Sequence, residues 1–126
     1  MKSLDNFKLK YKNILVRVDL NVPVVNGIIT DRSRIYAIKF TIKKLIEQKN
    51  KIFLISHFGR PKGKQNKKYS LRFITKILKE ELNIKKIYFL KNFDNEQINK
   101  IIHIMQESEV CLFENIRFFL KKKKMI

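Results

Sequence analysis

The sequence predicts an α/β fold with a parallel sheet between two layers of helices. Short apolar runs rich in β-branched residues alternate along the chain with longer segments whose apolar residues recur at helical spacing. Strands and helices that alternate in this way form right-handed βαβ units, which require a parallel sheet covered on both faces. A chain of 126 residues forms one ordinary domain of this kind and has no room for a second one.

The first half of the chain predicts a strand, a turn, a helix and a second strand. Residues 14–19 are typical of a buried strand, and Asn26-Gly27 is typical of a tight turn within residues 22–30. A helix is predicted from Asp31 onward, with Asp31 or Ser33 as its N-cap. Its apolar residues share one face: Ile35, Ile38, Ile42, Leu45 and Ile46. Residues 51–56 predict the second strand.

The second half of the chain repeats the alternation. Residues 63–68 predict a polar loop, and Ser70 is predicted to begin a helix. The apolar face of that helix consists of Leu71, Ile74, Ile77, Leu78 and Leu82. Residues 87–90 and 110–113 predict two further strands, separated by a helix with Ile98, Ile101, Ile102 and Met105 on its apolar face. The predicted architecture is therefore a three-layer α/β/α, Rossmann-like fold.

Charge is the most unusual feature of the composition. The chain has 29 Lys and Arg residues against 11 Asp and Glu residues, a net charge of +18. Such a charge favours anionic partners such as nucleic acid, acidic lipid or phosphorylated metabolites. Most of the basic residues are lysines, and Lys, Ile and Asn share A/T-rich codons, so we attribute much of the excess to genome composition. The arginines are therefore the informative cations.

The composition also excludes several classes of protein. The single cysteine, Cys111, lies in an apolar run, which predicts a small buried thiol and excludes disulfide scaffolds and cysteine zinc clusters. The few glycines form neither a P-loop nor a GxGxxG fingerprint. The sequence contains no signal-like segment and no apolar stretch long enough to span a bilayer. We therefore expect a cytoplasmic protein with no membrane partner.

Side chains suited to anion binding follow three of the four predicted strands. Ligands of open parallel sheets bind beyond the carboxyl ends of the strands. The residues at these ends are Asp19, Leu20 and Asn21 after the first strand, His57, Phe58, Gly59 and Arg60 after the second, and Arg117 after the fourth. Arg34 lies in the first turn of the first helix, where the helix dipole favours anions. Converging guanidinium groups beside hydroxyl-binding groups predict a site for a small phosphorylated hydroxy acid.

Each of these residues also has a plain structural interpretation. A single arginine at a strand end is usually solvated or ion-paired, and an isolated His57 is more often structural than ligand-binding. Asp19 can cap the loop that follows it, and Gly59 can serve a turn. His103 is expected in packing or at the surface. The functional interpretation depends on a coincidence: residues suited to anion binding follow three of the four predicted strands, and the structural interpretation would have to explain each strand end separately.

Five segments of the sequence together resemble the N-terminal domain of phosphoglycerate kinases. They follow that family's order and spacing over residues 5–118. The segments are VRVDLNVP at 16–23, TDRSRI at 30–35, SHFGRPKG at 56–63, YSL at 69–71 and ENIRF at 114–118. Five segments in one register are more specific than any of them alone.

The resemblance implies an activity and a substrate. Phosphoglycerate kinases are usually monomeric glycolytic enzymes that transfer the acyl phosphate of 1,3-bisphosphoglycerate to ADP, giving 3-phosphoglycerate and ATP, with magnesium. Their N-terminal domain binds phosphoglycerate, and their C-terminal domain binds the nucleotide. The motifs assign phosphoglycerate binding to Asp19, Leu20, Asn21, Arg34, His57, Phe58, Gly59, Arg60 and Arg117. Arg34 would also be catalytic by stabilising charge on the transferred phosphoryl group, which suits a reaction that depends on positioning and electrostatics.

The chain departs from the family after Phe118. Family members are much longer, so residues 1–118 are expected to form an incomplete N-terminal domain with half a site. The nucleotide-binding domain for ATP or ADP with magnesium has no counterpart, and we expect neither a metal site nor activity in this chain alone. Residues 119–126 are a basic tail, and codons for Glu-Glu-Glu-Lys-Asn-Asp read one nucleotide late would encode Lys121 to Ile126. We therefore hypothesise that the tail is out of frame.

The family resemblance also predicts an exposed sheet edge and leaves two alternatives open. The first strand of the family's sheet is flanked by a strand that this chain lacks, so residues 14–18 are expected to form an apolar edge in a marginally stable fold. One alternative is a split enzyme whose companion chain carries the C-terminal domain. The other is a basic nucleic-acid-binding module, although we expect no nucleic-acid partner; it would bind with strong salt dependence.

Overall fold

The computed structural model describes residues 10–58, 70–92 and 94–115. The strands in these ranges are β1 (Asn13–Arg17), β2 (Val24–Val25), β3 (Ile28–Ile29), β4 (Lys51–Ile55), β5 (Ile87–Leu90) and β6 (Val110–Phe113). The helices are α1 (Ser33–Glu47), α2 (Ile74–Leu82), which follows a 3₁₀ turn at Leu71–Phe73, and α3 (Asn95–Ile104). The alternation of strands and helices is therefore confirmed.

Four strands form a parallel sheet in the order β1-β4-β6-β5, which confirms the predicted α/β fold. The chain moves across the sheet from β1 through β4 to β5 and then returns to β6. Right-handed crossovers that run in opposite directions across a sheet place their helices on opposite faces of it. The reversal therefore puts α3 on one face of the sheet and α1 and α2 on the other. All four strands end at one edge of the sheet, which we call the carboxyl edge. It consists of residues 18–21, 56–58, 91–92 and 114–115.

Two apolar clusters lie on the two faces of the sheet. The larger cluster joins α1 and α2 to the sheet through fully buried residues such as Ile42, Leu78 and Leu112. The smaller cluster packs α3 against Phe53, Cys111 and their neighbours. β6 is buried on both faces, as its continuous apolar sequence predicts. The prediction of a buried thiol at Cys111 is confirmed, and burial raises its pKa to about 12.

The starts of the helices agree with their sequence signals in part. The N-cap of α1 is Arg32, which makes no side-chain cap hydrogen bond, so the prediction of Asp31 or Ser33 at that position is wrong. Asp31, one residue earlier, accepts hydrogen bonds from the N–H and the hydroxyl of Ser33 at 2.8 and 2.5 Å and so satisfies a first-turn N–H of α1. Ser70 accepts from the N–H of Arg72, as expected of an N-cap. Asp94 caps α3, and this cap was not predicted because the apolar pattern begins only at residue 98.

The segment between β1 and α1 contains a small antiparallel hairpin formed by β2 and β3. Asn26 and Gly27 both have positive φ, at 53° and 77°, which confirms the predicted tight turn. Positive φ at both central residues is typical of the type I′ turn, which matches the twist of a hairpin. The hairpin returns the chain to the first turn of α1.

β1 is the outermost strand of the described sheet on one side, as the family resemblance predicts. The prediction of a buried strand from its apolar run is wrong, because the residues of β1 alternate between exposed and half-buried. Ile14 and Val16 turn toward the larger cluster, whereas Leu15 is 62% exposed on the opposite face. No helix in the described ranges is long and apolar enough to cross a membrane.

Candidate functional site

Arg34 reaches the carboxyl edge from the first turn of α1. Its guanidinium donates hydrogen bonds to the carboxylate of Asp19, at 3.3 Å, and to the backbone carbonyl of Asn21. The side chains of Arg34 and Asp19 are 49% and 56% exposed, so solvent surrounds this ion pair. Such pairs contribute little to stability, between about 0 and 1 kcal/mol. An anionic ligand can therefore replace the Asp19 carboxylate beside Arg34 at little cost.

The loop after β1 holds Asp19 and Asn21 on either side of a buried residue. The Leu20 side chain is fully buried, and the Leu20 N–H donates to the hydroxyl of Ser56 at 2.9 Å. Asp19 accepts a hydrogen bond from the N–H of Asn21 at 3.0 Å. Leu20 therefore anchors the loop while the polar residues beside it reach the solvent-facing edge.

The loop after β4 is joined to the loop after β1 through Ser56. The hydroxyl of Ser56, which is 3% exposed, donates to the carbonyl of His57 at 3.0 Å while it accepts from Leu20. The Phe58 ring packs edge to face against Phe73, with 5.4 Å between centroids. A single buried hydroxyl thus connects the ends of two neighbouring strands.

Glu114 and Asn115 follow β6 and fix two other segments of the edge. Glu114 accepts hydrogen bonds from the hydroxyl of Ser70 at 2.7 Å and from the N–H of Leu71 at 2.9 Å. The amide of Asn115 pairs with both backbone groups of Phe58, accepting from its N–H at 3.0 Å and donating to its carbonyl at 2.6 Å. These two buried residues connect the loop after β4 and the start of α2 to β6.

A cavity of about 460 Å³ lies beside Arg34. It is lined by Asn21, Val22, Pro23, Asp31, Ser33 and Arg34. The hydrogen bonds from Ser33 hold the pKa of Asp31 below its usual range, so Asp31 is an anion near neutral pH. Arg34 lies between the carboxylates of Asp19 and Asp31 at the N-terminus of α1. Its guanidinium can bind an anionic group of a ligand, and either carboxylate can accept a hydrogen bond from a ligand hydroxyl.

The described structure brings six of the predicted site residues to the carboxyl edge. Asp19, Asn21 and Arg34 are in mutual contact, and His57 lies half-buried on the neighbouring loop. The side chains of Leu20 and Phe58 lie in the core, so they cannot contact a ligand at the surface. Their role is to hold the adjacent loop residues in place. Gly59, Arg60 and Arg117 lie outside the described residues.

Ser56, Ser70, Glu114 and Asn115 were not assigned to the site, although all four lie in the segments that resemble the family. In the structure they hold the loops of the carboxyl edge together. Outside those segments their signal in the sequence is weak, because each is only a polar residue directly beside an apolar run. Their partners lie as many as 57 residues away along the chain. Within the described ranges, no group of three or more potential ligands could hold a metal ion.

Comparison with known proteins identifies the family. The family model for phosphoglycerate kinase matches residues 4–125, which is nearly the whole chain. This chain belongs to the phosphoglycerate kinase family. A phosphoglycerate kinase from Cereibacter sphaeroides is 40% identical over 123 residues, which are 98% of this chain and 31% of that protein. One from Plasmodium falciparum is 41% identical over 116 residues, covering 91% of this chain and 28% of that protein.

Solved structures of phosphoglycerate kinases have the same fold over the matched region. The enzyme from Pyrococcus horikoshii superposes with a TM-score of 0.82 at 28% identity and covers 98% of this chain, which spans 30% of that structure. The enzyme from Coxiella burnetii gives a TM-score of 0.77 at 33% identity, over 93% of this chain and 28% of that structure. The chain therefore spans less than a third of these relatives.

Proposed function

We propose that this chain binds the phosphoglycerate substrate of the phosphoglycerate kinase reaction. The reaction is the reversible transfer of a phosphoryl group between 1,3-bisphosphoglycerate and ADP, giving 3-phosphoglycerate and ATP in cytoplasmic glycolysis. Family membership supports this assignment, and one observation carries it for the described residues. Arg34 lies at the carboxyl edge, at the N-terminus of α1, in an exposed ion pair with Asp19 that a ligand can exchange.

The chemistry of the cavity suits a phosphorylated hydroxy acid. A carboxylate or phosphate oxygen takes the place of Asp19 as the partner of Arg34, and the helix dipole of α1 adds to the attraction. The released Asp19 carboxylate then accepts a hydrogen bond from the hydroxyl of the substrate. In this proposal Gly59, Arg60 and Arg117, with His57, complete the anion site from the neighbouring strand ends.

During transfer, the bond between the acyl oxygen and phosphorus breaks while a terminal oxygen of ADP forms a new bond to the same phosphorus. Negative charge passes through the oxygens of the phosphoryl group, where the guanidinium of Arg34 would stabilise it. The substrate carboxylate is released without proton transfer to the protein. ADP or ATP with magnesium would be held by the part of the relatives that this chain does not span, so we propose binding without catalysis for this chain alone.

Calorimetric titration of the chain with 3-phosphoglycerate tests the proposal. We expect saturable binding that weakens about tenfold or more in Arg34→Gln, because one charge-assisted interaction contributes about 1.5 to 3 kcal/mol. Arg32→Gln is the matched control, since Arg32 lies two residues away but pairs with Glu81 of α2 at 3.3 Å. We expect its affinity to change less than about twofold.

Two outcomes of this titration would contradict the proposal. Equal weakening in both arginine variants, with a steep loss of affinity as salt rises, would indicate a general basic surface of the kind that binds nucleic acid. Equal affinity for glycerate and 3-phosphoglycerate would show that the phosphate is not recognised. Circular dichroism of each variant verifies that it is folded.

A further inference from the structure

The hydrogen bonding between β1 and β4 changes at the carboxyl edge. Near this edge the N–H of Val18 donates to the carbonyl of Ile55 at 2.9 Å, as in a regular parallel sheet. Bonds of the same kind recur every two residues along both strands of a parallel ladder. The next bond in this series would therefore join the N–H of Leu20 to the carbonyl of His57.

The hydroxyl of Ser56 stands between these two backbone groups. The N–H of Leu20 donates to the Ser56 hydroxyl at 2.9 Å, and the same hydroxyl donates to the carbonyl of His57 at 3.0 Å. Two hydrogen bonds in series thus take the place of one direct backbone bond. The inserted hydroxyl holds the loop after β1 and the loop after β4 one oxygen atom further apart than the ladder would, and we call this separation the strand gap.

Both loops that border the strand gap are anchored from elsewhere. The side chain of Leu20 is fully buried in the core, which fixes the loop after β1. The side-chain amide of Asn115 holds both backbone groups of Phe58, which fixes the loop after β4 to β6. The width of the gap therefore depends on the group that joins the two loops. Ser56 is only 3% exposed, so water does not compete for its hydrogen bonds.

We propose that Ser56 is a positioning residue for the ligand, because its inserted hydroxyl sets the strand gap that the ligand bridges. This role rests on the proposed binding of phosphoglycerate at the carboxyl edge. Asp19 and Asn21 border the gap on one side, with Arg34 bonded to both, and His57 borders it on the other. A ligand with separate carboxylate, hydroxyl and phosphate groups can contact both loops at once, so its affinity depends on the width of the gap.

A single small anion provides the contrast to this ligand. Inorganic phosphate needs the anion-binding groups of one loop only, so its affinity should not depend on the strand gap. Without the Ser56 hydroxyl, the N–H of Leu20 can donate directly to the carbonyl of His57, as in the ladder before it, and the gap narrows. Comparison of the two anions therefore separates a change of spacing from a general loosening of the carboxyl edge.

Titration of Ser56→Ala with 3-phosphoglycerate and with inorganic phosphate, followed by NMR, tests this role. We expect the affinity for 3-phosphoglycerate to fall about tenfold and the affinity for inorganic phosphate to change less than about twofold. Ser108→Ala is the matched control. The Ser108 hydroxyl also joins distant segments, donating to the carbonyl of Ile46 at 2.7 Å, but it lies at the opposite edge of the sheet. Both variants should lose stability, whereas Ser108→Ala should keep the affinity for both anions.

Two further measurements address the hydroxyl itself. Ser56→Thr keeps a hydroxyl at this position and should bind 3-phosphoglycerate within about threefold of the wild-type chain. In the wild-type chain, the Ser56 hydroxyl proton should exchange slowly with water both before and after saturation with 3-phosphoglycerate. This measurement depends on no variant, so it holds even where a substitution prevents folding.

Several outcomes would overturn the positioning role of Ser56. They are wild-type affinity for 3-phosphoglycerate in Ser56→Ala, equal weakening of both anions in that variant, and a hydroxyl proton that exchanges freely once the ligand is bound. Each of them leaves the proposed function intact, because the wild-type chain still binds 3-phosphoglycerate. A wild-type chain that does not bind 3-phosphoglycerate overturns the proposed function, and the role of Ser56 with it.

Discussion

The carboxyl edge has a buried part and an exposed part that differ in their hydrogen bonding. In the buried part, Ser56, Glu114 and Asn115 each join segments that are far apart in the chain. In the exposed part, Asp19 and Arg34 pair with each other in contact with solvent. The buried part therefore fixes where the loops lie, and the exposed part is free to exchange partners. A binding site needs both properties, and here they belong to different residues.

The difference follows from the surroundings of the two parts. A buried polar group without a partner costs about 1 to 3 kcal/mol, so each buried side chain holds its loop in one arrangement. An exposed ion pair contributes between about 0 and 1 kcal/mol, because water competes for both groups. Substitutions in the buried part should therefore change stability, whereas substitutions in the exposed part should change ligand binding.

The largest effect on stability is expected for Glu114→Ala. This substitution leaves the hydroxyl of Ser70 and the N–H of Leu71 without their buried acceptor. We expect the free energy of unfolding to fall by about 2 to 4 kcal/mol in chemical denaturation. Glu107→Ala removes the same side chain at an exposed position and should cost less than about 0.5 kcal/mol. Equal losses in the two variants would contradict the distinction between the buried and the exposed part.

Asp19→Asn should change stability much less. Asp19 loses an exposed ion pair with Arg34 but keeps an oxygen that can accept from Asn21. We expect the free energy of unfolding to change by less than about 1 kcal/mol. A loss comparable to that of Glu114→Ala would mean that this exposed pair is part of the scaffold.

The smallest effect is expected for Asp31→Asn, and it depends on pH. Hydrogen bonds from Ser33 hold the pKa of Asp31 below its ordinary value of 3.8 in the folded chain. A depressed pKa contributes stability above pH 3.8 that is lost as the pH falls through the folded value. Thermal unfolding at neutral pH should therefore favour the wild-type chain slightly, and the difference from Asp31→Asn should shrink in acid. A difference that grows below pH 3.8 would contradict this assignment.

The scaffold of the fold was predictable because its signals are local. Apolar periodicity predicts α1, α2 and all four strands of the parallel sheet, and Asn26-Gly27 predicts the hairpin turn. These signals depend on residues within one helix or strand. The start of α3 was missed because Asp94 and the polar residues after it carry no apolar pattern.

The candidate site was predictable only in part. Asp19 and Arg34 could be placed at one edge because parallel strands end together and α1 begins there. The partners of Glu114 and Asn115 could not be predicted, since they lie 44 and 57 residues away along the chain. Burial at the end of β6 is a tertiary property, and the sequence shows only that Glu114 and Asn115 begin the segment ENIRF after an apolar run.

An NMR titration with 3-phosphoglycerate tests the division between scaffold and site most directly. The account predicts saturable shifts at the amides of Asp19 and Asn21 and at the side-chain Nε–H of Arg34, where the ligand replaces a solvated ion pair. The amide of Leu71 and the side-chain amide of Asn115, which are held in the buried part, should move little. Shifts concentrated on Leu71 and Asn115, or a saturating titration that leaves Arg34 unchanged, would contradict it.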